Sequence, residues 1–440
     1  MERSDRGRTC RILRLDLLLV LACSALVTTS AAPQERDAGG EVTWAEHVAP
    51  IVYEHCSHCH RPGGGTPFPL TTYQQARERG RLLSMVAKDG FMPPYPPTVD
   101  SPAFSNLAPM SDAEVDLLAR WVSGGSKPGD EQSAPAPPDP EVWELGEPDL
   151  VLEASEELEV PLDAFDVLRN FVLPLPVDEP RWLRAVALWP GGARPQRALF
   201  WVASAGAAET VAPDDPGSVG GLQPGLGFGP PPAFGGELLT TPAAPYPADA
   251  GRLVEPGEVL VLQAVFQGTG EAYTARPRVG LYFAESSPAR RLVTVPVGAS
   301  DFTLAAGEVT IIERSFELPV AARVEGVLPF AHRLATELRG WATTPAGERH
   351  TLIEIDEWDV AWLSPYWLAE PIDLPAGSTL GVEIVYDNTE DNFSQVHFPP
   401  RDVGPGLSPS REIAALDVML TVAPDDLAGL EQAWTAHRER

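Results

Sequence analysis

From residue 146 to the C-terminal region the chain is written as short β-branched or alternating runs, and this limits its fold more than any other feature. Such runs occupy residues 168–173, 184–188, 198–202, 259–266, 279–283, 309–313, 350–355 and 380–386, with Gly, Pro, Asn and Asp between them. Runs of four to eight residues bounded by turn formers read as strands, and about 300 residues of them read as antiparallel β-sandwich. The 47 prolines and 38 glycines of the 440 residues fit this reading, because they are spread out as turns without a collagen period. The amount of chain suggests two sandwiches that part near residues 290–300. The Gly- and Pro-dense stretch 212–256 is expected to be a long irregular connection.

The N-terminal segment reads as an address. Arginines at 3, 6, 8, 11 and 14 precede the apolar run Leu17-Leu18-Leu19-Val20-Leu21-Ala22, and small residues follow through Ser30-Ala31-Ala32. That order is a secretory signal peptide, placed here at residues 1–31, and it predicts an exported, periplasmic protein. Cys23 after Val20-Leu21-Ala22 offers a lipid anchor as the alternative. No run reaches the roughly 20 apolar residues that a spanning helix needs. The 62 acidic and 32 basic residues leave a formal charge of −30, which repels phosphate backbones and anionic headgroups. Nucleic acid is therefore not an expected partner, whereas a basic redox protein is.

Cleavage after Ala31 would leave Cys56 and Cys59 as the cysteines of the mature chain, so a disulfide-stapled fold is excluded. Cys56-Ser57-His58-Cys59-His60 is C-x-x-C-H, the attachment signature of c-type haem. Two thiols at this spacing reach the two vinyl groups of one porphyrin, and the following imidazole reaches its iron from the same turn. The alternatives are a C-x-x-C redox pair and half of a zinc site. Zinc would need two further ligands, yet the next histidine after His60 is His332, and a thioredoxin-type strand-helix surround is missing.

Capping boxes are expected at Thr43-Trp44-Ala45-Glu46 and Ser111-Asp112-Ala113-Glu114, the second opening a helix that Gly124-Gly125 ends. Between them lies Phe91-Met92-Pro93-Pro94-Tyr95. Over residues 41–130 the chain resembles the cytochrome c family, in the version with a Met-Pro-Pro-aromatic segment after the haem helix. The resemblance implies one covalent haem c, with Cys56 and Cys59 as thioether donors, His60 as proximal ligand and Met92 as distal ligand. On the residues alone, Met85 on a helix with Leu82, Leu83 and Val86 reads as core. Met110 before a helix cap, His47 and an open sixth position stay as alternatives for the iron. His55 and His58 read as solvated, and Gly63-Gly64-Gly65 as backbone beside the porphyrin edge.

Residues 131–145 form a Pro-rich linker. Beyond it, Glu147-Pro-Asp-Leu-Val-Leu152, Val279-Gly-Leu-Tyr-Phe-Ala284, Trp358-Asp359 with Trp362, Leu374-Pro-Ala-Gly377 and Tyr386-Asp-Asn388 resemble the copper type II ascorbate-dependent monooxygenases, the dopamine and peptidylglycine hydroxylating family. The resemblance implies two jelly-roll domains with one copper each, held by histidines and a methionine. The ligand positions have changed, however. Gln196-Arg197 stands where the family has a His-His pair, and Val265-Phe266-Gln267 where it has His-Tyr-His. Phe330-Ala331-His332 keeps one histidine of His-x-His, and Ile413 replaces the methionine. Copper prefers imidazole and thioether donors, so His332 is left as a residual copper ligand and no copper is expected.

The sequence thus predicts a multidomain protein: a small all-α cytochrome c domain (41–130), a linker (131–145) and two all-β jelly-roll-like sandwiches (146–292 and 293–425). The expected function is exported electron transfer by haem c beside a β region that has lost copper chemistry, with no catalytic residue there. Two other functions fit the same residues. One is a haem-coupled copper monooxygenase acting on an organic substrate. The other is a binding or scaffold module with Trp341 or Trp367 as platforms, and calcium at Glu390-Asp391 is a weak option.

Overall fold

The computed structural model describes residues 40–62, 66–139, 141–164, 167–189, 195, 197–208, 237–238, 243–268, 270–406 and 410–438. The signal segment, Cys23, Gly63-Gly64-Gly65 and Gln196 lie outside the described residues.

All eight runs form strands. In chain order the strands are β1 (Leu150–Glu153), β2 (Leu158–Val160), β3 (Val167–Pro174), β4 (Arg181–Leu188), β5 (Arg197–Ser204), β6 (Glu237–Leu238), β7 (Ala250–Val254), β8 (Glu258–Phe266) and β9 (Tyr273–Ala275). They continue with β10 (Arg278–Phe283), β11 (Arg290–Ala299), β12 (Val309–Glu317), β13 (Ala322–Ala331), β14 (Ala335–Thr343), β15 (Arg349–Ile355), β16 (Tyr366–Leu374), β17 (Thr379–Asp387) and β18 (Ala414–Val422). The helices are α1 (Ala49–His55), α2 (Tyr73–Glu78), α3 (Gly80–Lys88), α4 (Asp112–Ser123), the short α5 (Ala205–Ala208) and α6 (Leu427–Arg438). The expected irregular connection over 212–256 contains β6 and β7 among its described residues.

The expectation of a small all-α domain followed by two all-β sandwiches is overturned. Glu41–Arg440 is one compact unit in which strands predominate. The helices near its start are part of that unit. One eight-stranded sheet, in the order β1-β10-β4-β7-β11-β18-β13-β16, draws its strands from both halves of the β region. The join is β11, which pairs in parallel with β7 at Arg290 and Arg291 and antiparallel with β18 from Arg291 to Ala299. The two remaining larger sheets have the orders β12-β17-β14-β15 and β3-β8-β5-β6. A strand that serves two cores cannot belong to one sandwich.

Strand β18 shows why. All nine of its residues are buried, where a half-solvated strand would alternate. Leu416, Val418 and Leu420 point into a core shared with Leu338 of β14 and Ile384 of β17. On the opposite face Ala415 joins Trp201 of β5 and Val261 of β8, and Met419 joins the core around Phe200 and Leu262. Each of the buried Leu, Val and Met side chains contributes about 1.5–3 kcal/mol.

The helical segment has a buried cluster of its own, in which Trp44 meets Val48, Val52, Leu83, Leu118 and Trp121. Gly80 lets α3 lie close on α4, because a Cβ there would sit 3.3 Å from Val122. The Ser111/Glu114 capping box forms. The one expected at Thr43/Glu46 does not: the Thr43 N–H donates to Nδ1 of His47 at 3.3 Å, and the chain enters through a π-helical turn, Trp44–Val48. The Thr72/Gln75 capping box of α2 had no counterpart in the sequence reading.

What binds this segment to the sheets is a strap. Thr98 N–H donates to Glu354 O at 2.8 Å, and Pro97 bridges to Ile355 of β15. Ser105 N–H donates to Trp367 O at 2.8 Å, Ala369 N–H to Ala103 O at 2.9 Å, and Phe104 bridges to Leu368 of β16. β15 is an edge strand of one sheet and β16 an edge strand of another, so one stretch of chain fastens to two edges.

Candidate functional site

The C-x-x-C-H motif begins where α1 ends. The N–H groups of Cys56 and Ser57 both donate to Val52 O, and His60 N–H donates to Cys56 O at 2.8 Å, winding the motif into one more turn. The Ser57 hydroxyl donates to Val52 O and Leu70 O and so anchors the turn to the returning chain. Cys56 is half-buried and Cys59 exposed, and neither is in a disulfide.

His60 is oriented by Phe68. Its Nδ1 lies 2.9 Å from the Phe68 carbonyl, and the two rings are 4.8 Å apart. A carbonyl only accepts, so Nδ1 carries the proton and Nε2 presents a lone pair. The basicity is set the same way. Burial lowers the His60 pKa below its ordinary value, and the Arg79 guanidinium, which lies over the Phe68 ring at 4.5 Å, lowers it further against the opposing Phe68 hydrogen bond. The imidazole is thus neutral near pH 7, as a metal ligand must be.

Burial, with a smaller push from Cys59, raises the Cys56 pKa to about 12, so Cys56 rests as the protonated thiol.

The donor set therefore fits a haem. So does the apolar surface nearby in the chain. Helix α3 buries Leu83 and Ala87 but leaves Leu82 42% and Met85 54% exposed, and Phe91 just after it is 59% exposed. Met85 is thus not core, as its spacing had suggested, but lies on the other face of α3. Three large apolar side chains this exposed in a short stretch offer surface that an apolar group could cover. Met92 is half-buried, with its N–H donating to Val86 O at 3.1 Å.

His55, read from the sequence as solvated, is paired. Its Nε2 lies 3.2 Å from Glu114 Oε1, tying the motif's entry to the start of α4, and the side chain is 13% exposed. Glu114 and exposed Glu54 bring their carboxylates within 4.8 Å of the same imidazole, which is the one grouping of three potential metal ligands of this kind among the described residues. Phe68 and Glu114 were invisible as site residues, because nothing in the order of the chain says that they meet His60 and His55.

In the β region the ladder pairs two of the positions compared above with copper ligands. Arg197 on β5 is the register partner of Val265 on β8, but neither side chain is a copper donor. His332 follows β13, beside Glu412 and Ile413. It is 8% exposed; its N–H donates to Glu412 Oε2 at 2.9 Å, its Nδ1–H to Arg411 O at 2.9 Å, and its carbonyl accepts from the Trp358 indole at 2.9 Å. His350 lies 3.7 Å from Glu348 and His397 is half-buried in a loop.

No protein-family model matches the chain, and no curated protein matches it. Among solved structures it is similar to the VP2 subviral particle of infectious bursal disease virus, at 11% identity and TM-score 0.20, over 64% of this chain and 74% of that one. It is also similar to a Paenibacillus xanthan lyase, at 12% identity and TM-score 0.17, over 67% of this chain and 29% of that one. Scores this low inform neither the fold nor the function. No helix among the described residues is long and apolar enough to cross a membrane.

Proposed function

We propose that the chain is an exported, periplasmic c-type haem protein that transfers electrons, and that its β region, which resembles the copper type II ascorbate-dependent monooxygenases, no longer binds copper. The observation that carries this reading is the hydrogen bond from His60 Nδ1 to the Phe68 carbonyl, which leaves Nε2 as the lone-pair nitrogen directly after a Cys-x-x-Cys pair that forms no disulfide. Orientation of a ligand imidazole by a backbone carbonyl is the usual way a protein fixes the tautomer that binds metal.

In this reading Cys56 and Cys59 would hold the haem as thioethers, their S–H groups adding across its vinyl groups with no net redox change. His60 and Met92 would be the ligands of its iron. The bound haem supplies one-electron chemistry. The chain's own part is to fix the ligands and exclude water, which sets the potential. The formal charge of −30 favours a basic redox partner at low ionic strength.

The test is spectroscopy and metal counting on protein purified from an export-competent, haem-loading host. The expected result is a pyridine haemochrome of haem c, one iron and no copper per chain, and loss of the covalent chromophore in Cys56→Ser and Cys59→Ser. Colourless wild-type protein would end the haem assignment. One copper per chain that survives dialysis would end the claim about the β region.

A further inference from the structure

The chain on either side of Met92 is held by different parts of the molecule. Before it, the N–H groups of Phe91 and Met92 both donate to Val86 O, at 2.9 and 3.1 Å, which fastens the residue to the end of α3. After it, Tyr95 packs against the large β core and Pro97 bridges to Ile355. The side chain next to Met92 also reaches across: the Phe91 ring meets the Trp362 indole at 6.1 Å and 83°, edge to face. Trp362 closes a single 3-10 turn, Val360–Trp362, whose start is capped by the Asp359 carboxylate accepting from Ala361 N–H at 2.8 Å. Trp362 thus stands on a turn whose start is capped, and the strap beyond Tyr95 bridges to two strands.

We propose that Trp362 is a positioning residue for the Met92 thioether, so that the β region sets the sixth coordination position of the haem iron; this rests on the haem reading above. Trp362 does not touch the metal. It holds Phe91, and Phe91 sets where the next side chain points. The β region thereby gains a role that needs no metal of its own. A thioether on a loop pinned at both ends resists replacement by outside ligands, and one on a loop pinned at a single end does not.

The experiment compares the wild-type holoprotein with Trp362→Ala and Trp362→Phe, all checked for equal haemochrome content. Two readouts follow the ligand: the methionine-to-iron charge-transfer band of the oxidised protein, and displacement of the sixth ligand by added imidazole. The expected result is that Trp362→Ala weakens the band and binds imidazole at least ten-fold more tightly. Trp362→Phe, which keeps an aromatic wall, should return both toward wild type. Equal band and equal imidazole affinity in Trp362→Ala would overturn the positioning role while leaving the haem reading standing. So would a wild-type haem protein that shows no methionine band. Wild-type protein without covalent haem would overturn both.

Discussion

The Phe91 ring and the Trp362 indole meet in a T-shaped pair across 271 positions of sequence, 6.1 Å between centres and 83° between planes. The pair joins the helical segment to the β region at a point that is otherwise exposed. Such aromatic pairs contribute about 0.5–1.5 kcal/mol beyond the area they bury. Phe91→Ala is expected to lower the unfolding free energy by about 1 kcal/mol, read as a shift in the denaturant midpoint at constant slope. A shift several times larger would mean that Phe91 also holds the strap.

Phe104 should matter more. It is 7% exposed, sits in the largest core and lies 5.0 Å from the Tyr366 ring. Phe104→Ala removes a buried aromatic and is expected to cost about 3–5 kcal/mol, measured by urea unfolding followed by tryptophan fluorescence. A cost under 1 kcal/mol would show that the strap merely lies on the sheets.

Asp417 predicts how stability depends on pH. Both of its carboxyl oxygens are buried without a hydrogen-bond partner, and burial alone raises its pKa to about 8. The folded state therefore keeps a proton that the unfolded chain releases near pH 4. Stability from this group is fully present below the unfolded value and is lost as the pH rises through about 8, at up to about 1.4 kcal/mol per unit. Glu412, also raised to about 8 by burial against the backbone N–H groups that bind it, adds to the same slope. Asp417→Asn carries no titrating group, so it should flatten the fall in urea midpoint between pH 5 and 9 by about half. An unchanged slope would mean that the Asp417 carboxyl is ionised in the fold.

Glu412 itself holds the turn after β13, accepting His332 N–H at 2.9 Å and Leu334 N–H at 2.8 Å. Glu412→Ala would leave two buried donors unpaired at about 1–3 kcal/mol each. The expected loss of about 2–6 kcal/mol would appear in thermal unfolding at pH 6. It would be refuted by a variant that melts with wild type.

Three long strands that were not legible in the sequence have an interior proline. β11, β13 and β16 carry Pro296, Pro329 and Pro371, and a proline within a run speaks against a central strand. The topology resolves each case. β11 pairs with β7 only at Arg290 and Arg291, so Pro296 lies where one side of the strand has no ladder. β13 pairs with β16 only as far as Val327, before Pro329 is reached, and β16 is itself an edge. These are long-range facts that no local pattern encodes.

The same holds at the candidate site. The cysteines and His60 were legible because their spacing is local. Phe68, Glu114 and Trp362 were not, since each meets its partner only once the chain has folded back. The separate all-α domain failed as an expectation for a related reason. Residues 97–105 carry no strong strand pattern, yet they make single bridges to two sheets and so merge the helices with the β unit.

That strap has a practical consequence for anyone who would divide the chain. A fragment started downstream of Leu107 would present the outer rims of β15 and β16 bare, each with unsatisfied backbone groups of the kind that recruit a neighbouring molecule. Such a fragment should be sticky in solution, and its fate would be self-association and not an isolated β module.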